Sequence, residues 1–245
     1  RNLQDIVNWR KNELDILNVD VHFNTAATAE TIMAETPDVV IIATGGTPYF
    51  SGFSGAEHCL TIWDGMRDAA KFSGKSVILY DGIGQHPGAS CAVHLAQAGA
   101  KVHFVTIDPQ IALEMGGSES VMHRKRFQQH GIPVEIDLQI ERVEQDGGKY
   151  KATFMHELTD TVHSFVADRI IIEQGTTPTA GLYHELREAS CNSGVTDISA
   201  LINNQSQPQS GSWATGYELH RIGSAVSSRE IHSAVYDAFR LCHML

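Results

Sequence analysis

The residues in this sequence best placed to do chemistry form one glycine-rich turn. Gly82, Gly84 and Gly88 stand as Gly-x-Gly-x-x-x-Gly within Asp81-Gly82-Ile83-Gly84-Gln85-His86-Pro87-Gly88. Between a strand and a helix, such a turn can hold a dinucleotide pyrophosphate, because backbone amides converge at the helix N-terminus and no Cβ bars the phosphate. In that reading Gly82 permits the tight turn, Gly84 the close approach, and Gly88 the packing of helix on strand. The spacing is one residue longer than the usual fingerprint, and Pro87 suits a first helical turn while removing one amide donor. A purely structural tight turn is the plainer alternative. An acid that reads the ribose is expected about twenty residues further on. Thr106 stands there and Asp108 follows. No Arg lies beside them to hold a 2′-phosphate, so NADH is favoured over NADPH.

Other reactive residue types do not assemble in the sequence. Thirteen histidines are dispersed without metal-ligand spacing to nearby carboxylates. Cys59, Cys91, Cys191 and Cys242 show no C-x-x-C pair; Cys91 and Cys242 fall in helical apolar patterns and read as buried thiols. Ser224, Ser227 and Ser228 precede His232 without a nucleophile elbow around them. No residue is singled out as catalytic and none as a metal ligand.

Around the turn, the pattern describes a complete β–turn–α–β unit: strand 77–80, helix 89–98 and strand 101–106. Upstream lie an amphipathic helix (3–17), a short strand (19–23), a short helix (28–34) and a buried strand (39–43). Residues 47–74, rich in Gly with one short helix near 62–71, read as a connection. After a helix at 120–130, strands at 134–140, 150–155 and 162–166 read as an antiparallel meander, followed by a third buried strand at 169–172. The last helix, 229–244, is amphipathic, with Ile231, Ala234, Val235, Ala238 and Cys242 on one face.

An internal repeat organises these pieces. Asp38-Val39-Val40-Ile41-Ile42-Ala43-Thr44-Gly45-Gly46-Thr47-Pro48 matches Asp168-Arg169-Ile170-Ile171-Ile172-Glu173-Gln174-Gly175-Thr176-Thr177-Pro178. Two buried strands would share the apolar run by chance, but not the flanking Asp and the Gly-x-Thr-Pro tail. Two homologous nucleotide-binding domains are therefore expected, each closing its sheet with this segment.

Composition sets bounds. With 18 basic and 29 acidic residues the net charge is −11, and the chain lacks the basic face that a nucleic-acid binder needs. The longest apolar runs are strand-sized, so no membrane span is expected, and the cysteine usage fits a reducing cytoplasm. The opening residues carry neither an initiator Met nor an apolar leader core, so the beginning of the protein is expected upstream.

Taken in order, these segments resemble the C-terminal half of the multidomain NADH:flavin oxidoreductases of the old-yellow-enzyme group: 2,4-dienoyl-CoA reductase, trimethylamine and histamine dehydrogenases, and related N-demethylases. The most specific stretches are 38–48, 75–106 and 221–238. The resemblance implies an α/β fold of two Rossmann-like, glutathione-reductase-like domains, one inserted in the other, with the β-meander. Residues 1–48 with 179–245 would form the domain that holds FAD or ADP, 49–74 a linker, and 75–178 the inserted NAD(P)H-binding domain. It also implies that Thr44, Gly45, Gly175, Gly223 and Ser224 lie at the nucleotide sites, with Ser224 replacing the family's usual Asp. The FMN barrel and its 4Fe-4S cluster would lie upstream as this chain's own partner domain, and a homo-oligomer would be compatible. Two functions follow: passage of electrons from NADH through FAD to the barrel, or a degenerate ADP-binding scaffold in an amine dehydrogenase or demethylase that does not use NAD(P)H.

Overall fold

The structure is a computed structural model that describes residues 2–50, 52–208 and 216–245. Helices α1 (Asn2–Ile16) and α2 (Ala29–Ala34) lead into β1 (Val39–Ile42) and β2 (Gly46–Pro48). Then come β3 (Leu60–Thr61), α3 (Ile62–Arg67), β4 (Ser76–Asp81), α4 (His86–Gln97), β5 (Lys101–Thr106), α5 (Gly117–His130) and β6 (Val134–Glu135). The meander is β7 (Leu138–Asp146), β8 (Lys149–His156) and β9 (Val162–Ala167). The chain continues through β10 (Arg169–Glu173), β11 (Thr176–Pro178), α6 (Gly181–Leu186), α7 (Ile198–Ile202), β12 (Glu218–Arg221) and α8 (Ile231–His243).

The central sheet is five-stranded, in the order β3-β10-β4-β5-β6, with every neighbour parallel. Its strands are continuous apolar runs because both faces are covered. Val77 and Leu79 of β4, Phe104 of β5 and Ile171 of β10 face Ala89, Ala92 and Leu95 of α4 and Phe127 of α5. The alternate residues Ile78, Tyr80, Val105, Ile170 and Ile172 face the meander, against Leu138, Ile140, Ala152 and Phe154. The period of two along each strand thus sorts side chains between a helical layer and a sheet layer.

Three expectations are corrected. Residues 19–23 form no strand: Val19, Val21 and Phe23 alternate as a strand would, but they stay exposed and no sheet edge pairs with them. The segment 134–140 is two strands, because Asp137 adopts a φ of +56° and turns the chain from β5's edge into the meander. The stretch 49–74 is no mere connection: it supplies β3 to the central sheet, and Ile62, Ala69 and Phe72 to its core.

The repeat has a structural meaning. Its two tails, β2 and β11, pair antiparallel with Thr47 opposite Thr177, and the exchange continues beyond them. Thr179 donates its N–H to the carbonyl of Gly45, and Tyr49 donates to that of Gly175. Two equivalent strand exits therefore cross as a ribbon between the central sheet and a second unit. That unit contains the parallel pair β1-β12 and a small core of Val40, Ile42, Tyr183, Leu186, Tyr217 and Leu219.

α8 presents its apolar residues outward. Leu241 is buried and Ala234 and Ala238 are half-buried, but Ile231, Val235, Phe239 and Cys242 are exposed. The expectation of a buried Cys242 is thus corrected, whereas Cys91 is fully buried and burial raises its thiol pKa to about 12. No helix among the described residues is long and apolar enough to cross a membrane.

Candidate nucleotide cleft and glycine-rich turn

A cleft of about 730 Å³ opens between the glycine turn, the crossing ribbon and the start of α8. Trp63, Ile83 and Ile231 give it apolar walls, and Glu173, Ser228 and Arg229 give it polar ones. That volume suits a flat heterocycle or a nucleoside. Its size and its place at the carboxyl ends of β4 and β10 single it out.

The structure divides the sequence-derived residues into two groups. Gly175 (φ +79°) and Ser224 line the cleft, and a Cβ on Gly175 would stand 3.1 Å from Ser228 Oγ. The Thr176 N–H donates to Ser228 Oγ at 3.2 Å, closing the ribbon onto the loop before α8. The hydroxyl of Thr176 and Gln174 Oε1 are buried without a partner there. Gly223 (φ +60°) packs on Ala234 and donates its N–H to Asp237 Oδ2, and Asp237 also pairs with Arg229. Thr44 and Gly45 serve the ribbon instead: the Thr44 hydroxyl donates to the Thr179 carbonyl. Neither is among the cleft's lining residues.

Two carboxylates pack against the inner side of the glycine turn. Asp81, the last residue of β4, is fully buried, and its Oδ1 accepts from the N–H groups of Ile83 and Gly84, both at 3.1 Å. A Cβ on Gly88 would lie 2.7 Å from Asp81 Oδ2, and one on Gly84 would lie 2.3 Å from Asp108 Oδ2. The glycines thus leave room for two internal carboxylates. Gly82, by contrast, has no close neighbour that a Cβ would disturb. Thr106 is buried and its hydroxyl accepts from the Asp108 N–H, so it points into its own loop.

Acidic groups crowd this end of the sheet. Burial pushes the Asp81 carboxyl up to about 7; its two backbone hydrogen bonds pull it down less than burial raises it, and Glu173 and Asp108 push it up further. Glu173, opposite Asp81 in the parallel register, is raised chiefly by burial, and Asp108 by burial and then by Glu114. Asp81 Oδ2 and Asp108 Oδ2 find no hydrogen-bond partner. Sequence reasoning passed over Asp81, Glu173, Ser228 and Asp237. One signal was present: a carboxylate directly before a turn meant to hold an anion.

A helix-covered parallel sheet, joined by a crossing ribbon to a second unit with its own parallel pair, defines an α/β fold of the FAD/NAD type. Residues 7–198 match the family model described as pyridine nucleotide-disulphide oxidoreductase, and the chain belongs to that family. It is 37% identical over 244 residues to the multifunctional alkene reductase/demethylase OYE of Caballeronia cordobensis, covering 99% of this chain and 36% of that protein. To the probable N-methylproline demethylase of Rhizobium meliloti (strain 1021) it is 35% identical over 242 residues, again covering 36% of the relative. The chain therefore spans about a third of the length of these relatives. Histamine dehydrogenase from Rhizobium sp. 4-9 superposes with a TM-score of 0.75 at 21% identity, over 98% of this chain and 36% of that one. Thioredoxin reductase of T. acidophilum superposes with a TM-score of 0.60 at 19% identity, over 83% of this chain and 63% of that one. The family is one of oxidoreductases, and the chain has its FAD/NAD-type fold.

Proposed function

We propose that this chain is the nucleotide-binding portion of a cytoplasmic flavoprotein whose substrate, an N-methylated amine or an activated alkene, is read by an upstream FMN and iron–sulfur barrel. The observation that carries the reading is the cleft at the ribbon between the two units, with Ser224, Ser228 and Thr176 offering hydroxyls to an adenine nucleotide or a flavin. The residues present fit such a group: the space is adequate, and Thr176 Oγ1 is a buried polar atom still without a partner. A bound flavin would supply reversible electron acceptance; this chain would supply orientation and exclusion of water. The pairing of β2 with β11 supports a division at residues 48 and 179, and the bridge from Ser54 to Arg142 supports an inserted unit that begins near residue 54.

The exposed apolar faces support an upstream partner domain. Ile6, Val7, Trp9 and Leu14 of α1, with Val235, Tyr236 and Phe239 of α8, are more exposed than a finished domain leaves them. Among the described residues β1 pairs with β12 alone, and a parallel pair with a free edge invites further strands.

Two electron routes fit this portion. In one, the inserted unit takes NADH and passes a hydride to FAD; in the other, electrons come from the substrate and the first unit holds FAD or ADP. Asp81 on the Ile83 and Gly84 amides favours the second, because two of the turn's amide donors are taken by a side chain. The full-length protein, denatured by heat after purification, is expected to release close to one equivalent of FAD or ADP per chain. Release of no adenine nucleotide would sink the cleft assignment.

A further inference from the structure

We propose that Asp81 is a built-in surrogate for phosphate, the residue that closes the inserted unit to pyridine dinucleotides. This rests on the reading that electrons reach the protein from its substrate rather than from NADH. The amide groups at the glycine turn normally solvate an arriving anion. Here two of them already serve one carboxylate oxygen, at 3.1 Å each. The carboxylate lies between β4 and the start of the twelve-residue helix α4, in the space that the missing Cβ of Gly88 leaves open. Its other oxygen is buried and unpartnered, aimed into the turn. Pro87 brings no N–H to replace the two that are taken.

The surroundings reinforce the exclusion. Asp108 fills the space over Gly84 where a phosphate would approach, and the Glu114 N–H donates to the Gly84 carbonyl, holding the loop against the turn. Glu173 stands beside Asp81 in the register. An incoming pyrophosphate would have to displace one carboxylate from its donors and sit among others of like charge. Size and charge act together, and the hydrogen bonds decide which matters first. A neutral amide at position 81 still occupies both N–H groups, whereas a glycine frees them.

The test uses the full-length holoprotein, titrated calorimetrically with NADH. The parent is expected to show no saturable binding up to millimolar NADH. Asp81→Gly is expected to gain at least tenfold in affinity, and Asp81→Asn, which keeps an acceptor on the Ile83 and Gly84 amides, no more than twofold. An equal gain in Asp81→Asn and Asp81→Gly would overturn occupancy as the cause. Should Asp81→Gly fail to fold, amide exchange in the parent decides: protection at Ile83 and Gly84 must be unchanged by millimolar NADH, and new protection there overturns the proposal. Tight NADH binding by the parent at this turn would remove both the proposal and the substrate-electron reading. No binding by the parent and none by folded Asp81→Gly removes the Asp81 assignment alone.

Discussion

Replacing Asp81 by Asn is expected to make the protein more stable at pH 8, by about 2–4 kcal/mol. The carboxyl is fully buried and its pKa rises from an ordinary 3.8 to about 7. Each pH unit between the two corresponds to about 1.4 kcal/mol. The folded state therefore holds its proton across the window from about pH 4 to 7, in which the unfolded chain has already lost it. Stability from this group is complete below about pH 4 and falls as pH rises through 7. Above that, the folded protein carries a buried charge with one oxygen unpartnered. Asn keeps the shape and an acceptor for the two amides and has no charge to bury. Asp64 and Asp168 act in the opposite sense, since hydrogen bonds lower their pKa values, so the parent's own pH curve mixes signs. The difference between parent and Asp81→Asn isolates the one group. Urea unfolding at pH 5 and pH 8 measures it: a small difference at pH 5 and a large one at pH 8 is expected. Equal stabilities at pH 8 would mean that Asp81 is not paying for a buried charge.

That expectation gives the turn a meaning that its glycines did not. In sequence, Gly84 looks like space kept for a ligand and Gly88 like a close contact of helix on strand. In the structure the same space is needed by Asp108 and Asp81. A glycine records that something comes close, not whether that neighbour is a phosphate or the protein's own side chain. The same glycine pattern therefore suits either occupant.

What was legible followed from burial. The β4–α4–β5 unit and β10 are continuous apolar runs with both faces covered, and their sequence pattern identifies them without further help. The 38–48 and 168–178 repeat was legible too, though its pairing into one ribbon needed three dimensions. Short or edge elements were not legible. β3 has two residues, Leu60 and Thr61, and is a strand only because β10 offers it an edge. Residues 19–23 have the better strand pattern and no such edge. Within the cleft, Ser228 and Arg229 come from the loop before α8 and meet Gly175 and Thr176 from the ribbon. Nothing in the spacing of those residues reveals that contact.

Gly55 shows the same limit where the effect should be largest. It belongs to the Gly-rich stretch read as a connection, yet it sits at φ +82°, and a Cβ there would fall 1.8 Å from the carbonyl oxygen of Val143. No side chain can yield, because the obstacle is the backbone of β7. The neighbouring residue fixes the approach: the Ser54 N–H donates to the Glu141 carbonyl, and the Val143 N–H donates back to Ser54, forming a parallel bridge at the bulge in β7. Gly55→Ala therefore combines an unfavourable left-handed backbone with a steric clash, each worth about 1–3 kcal/mol and together about 3–5 kcal/mol. The damage should reach the site, since the following residues carry β3, α3 and the Trp63 wall of the cleft. A fall in melting temperature of several degrees, with weakened retention of the adenine nucleotide, is the expected result. Gly52→Ala is the control: it shares a positive φ of +93° but has nothing within 4 Å of its Cβ position, so it carries the backbone cost alone. If the two variants melt together, the close approach of residues 54–55 to β7 contributes nothing to stability.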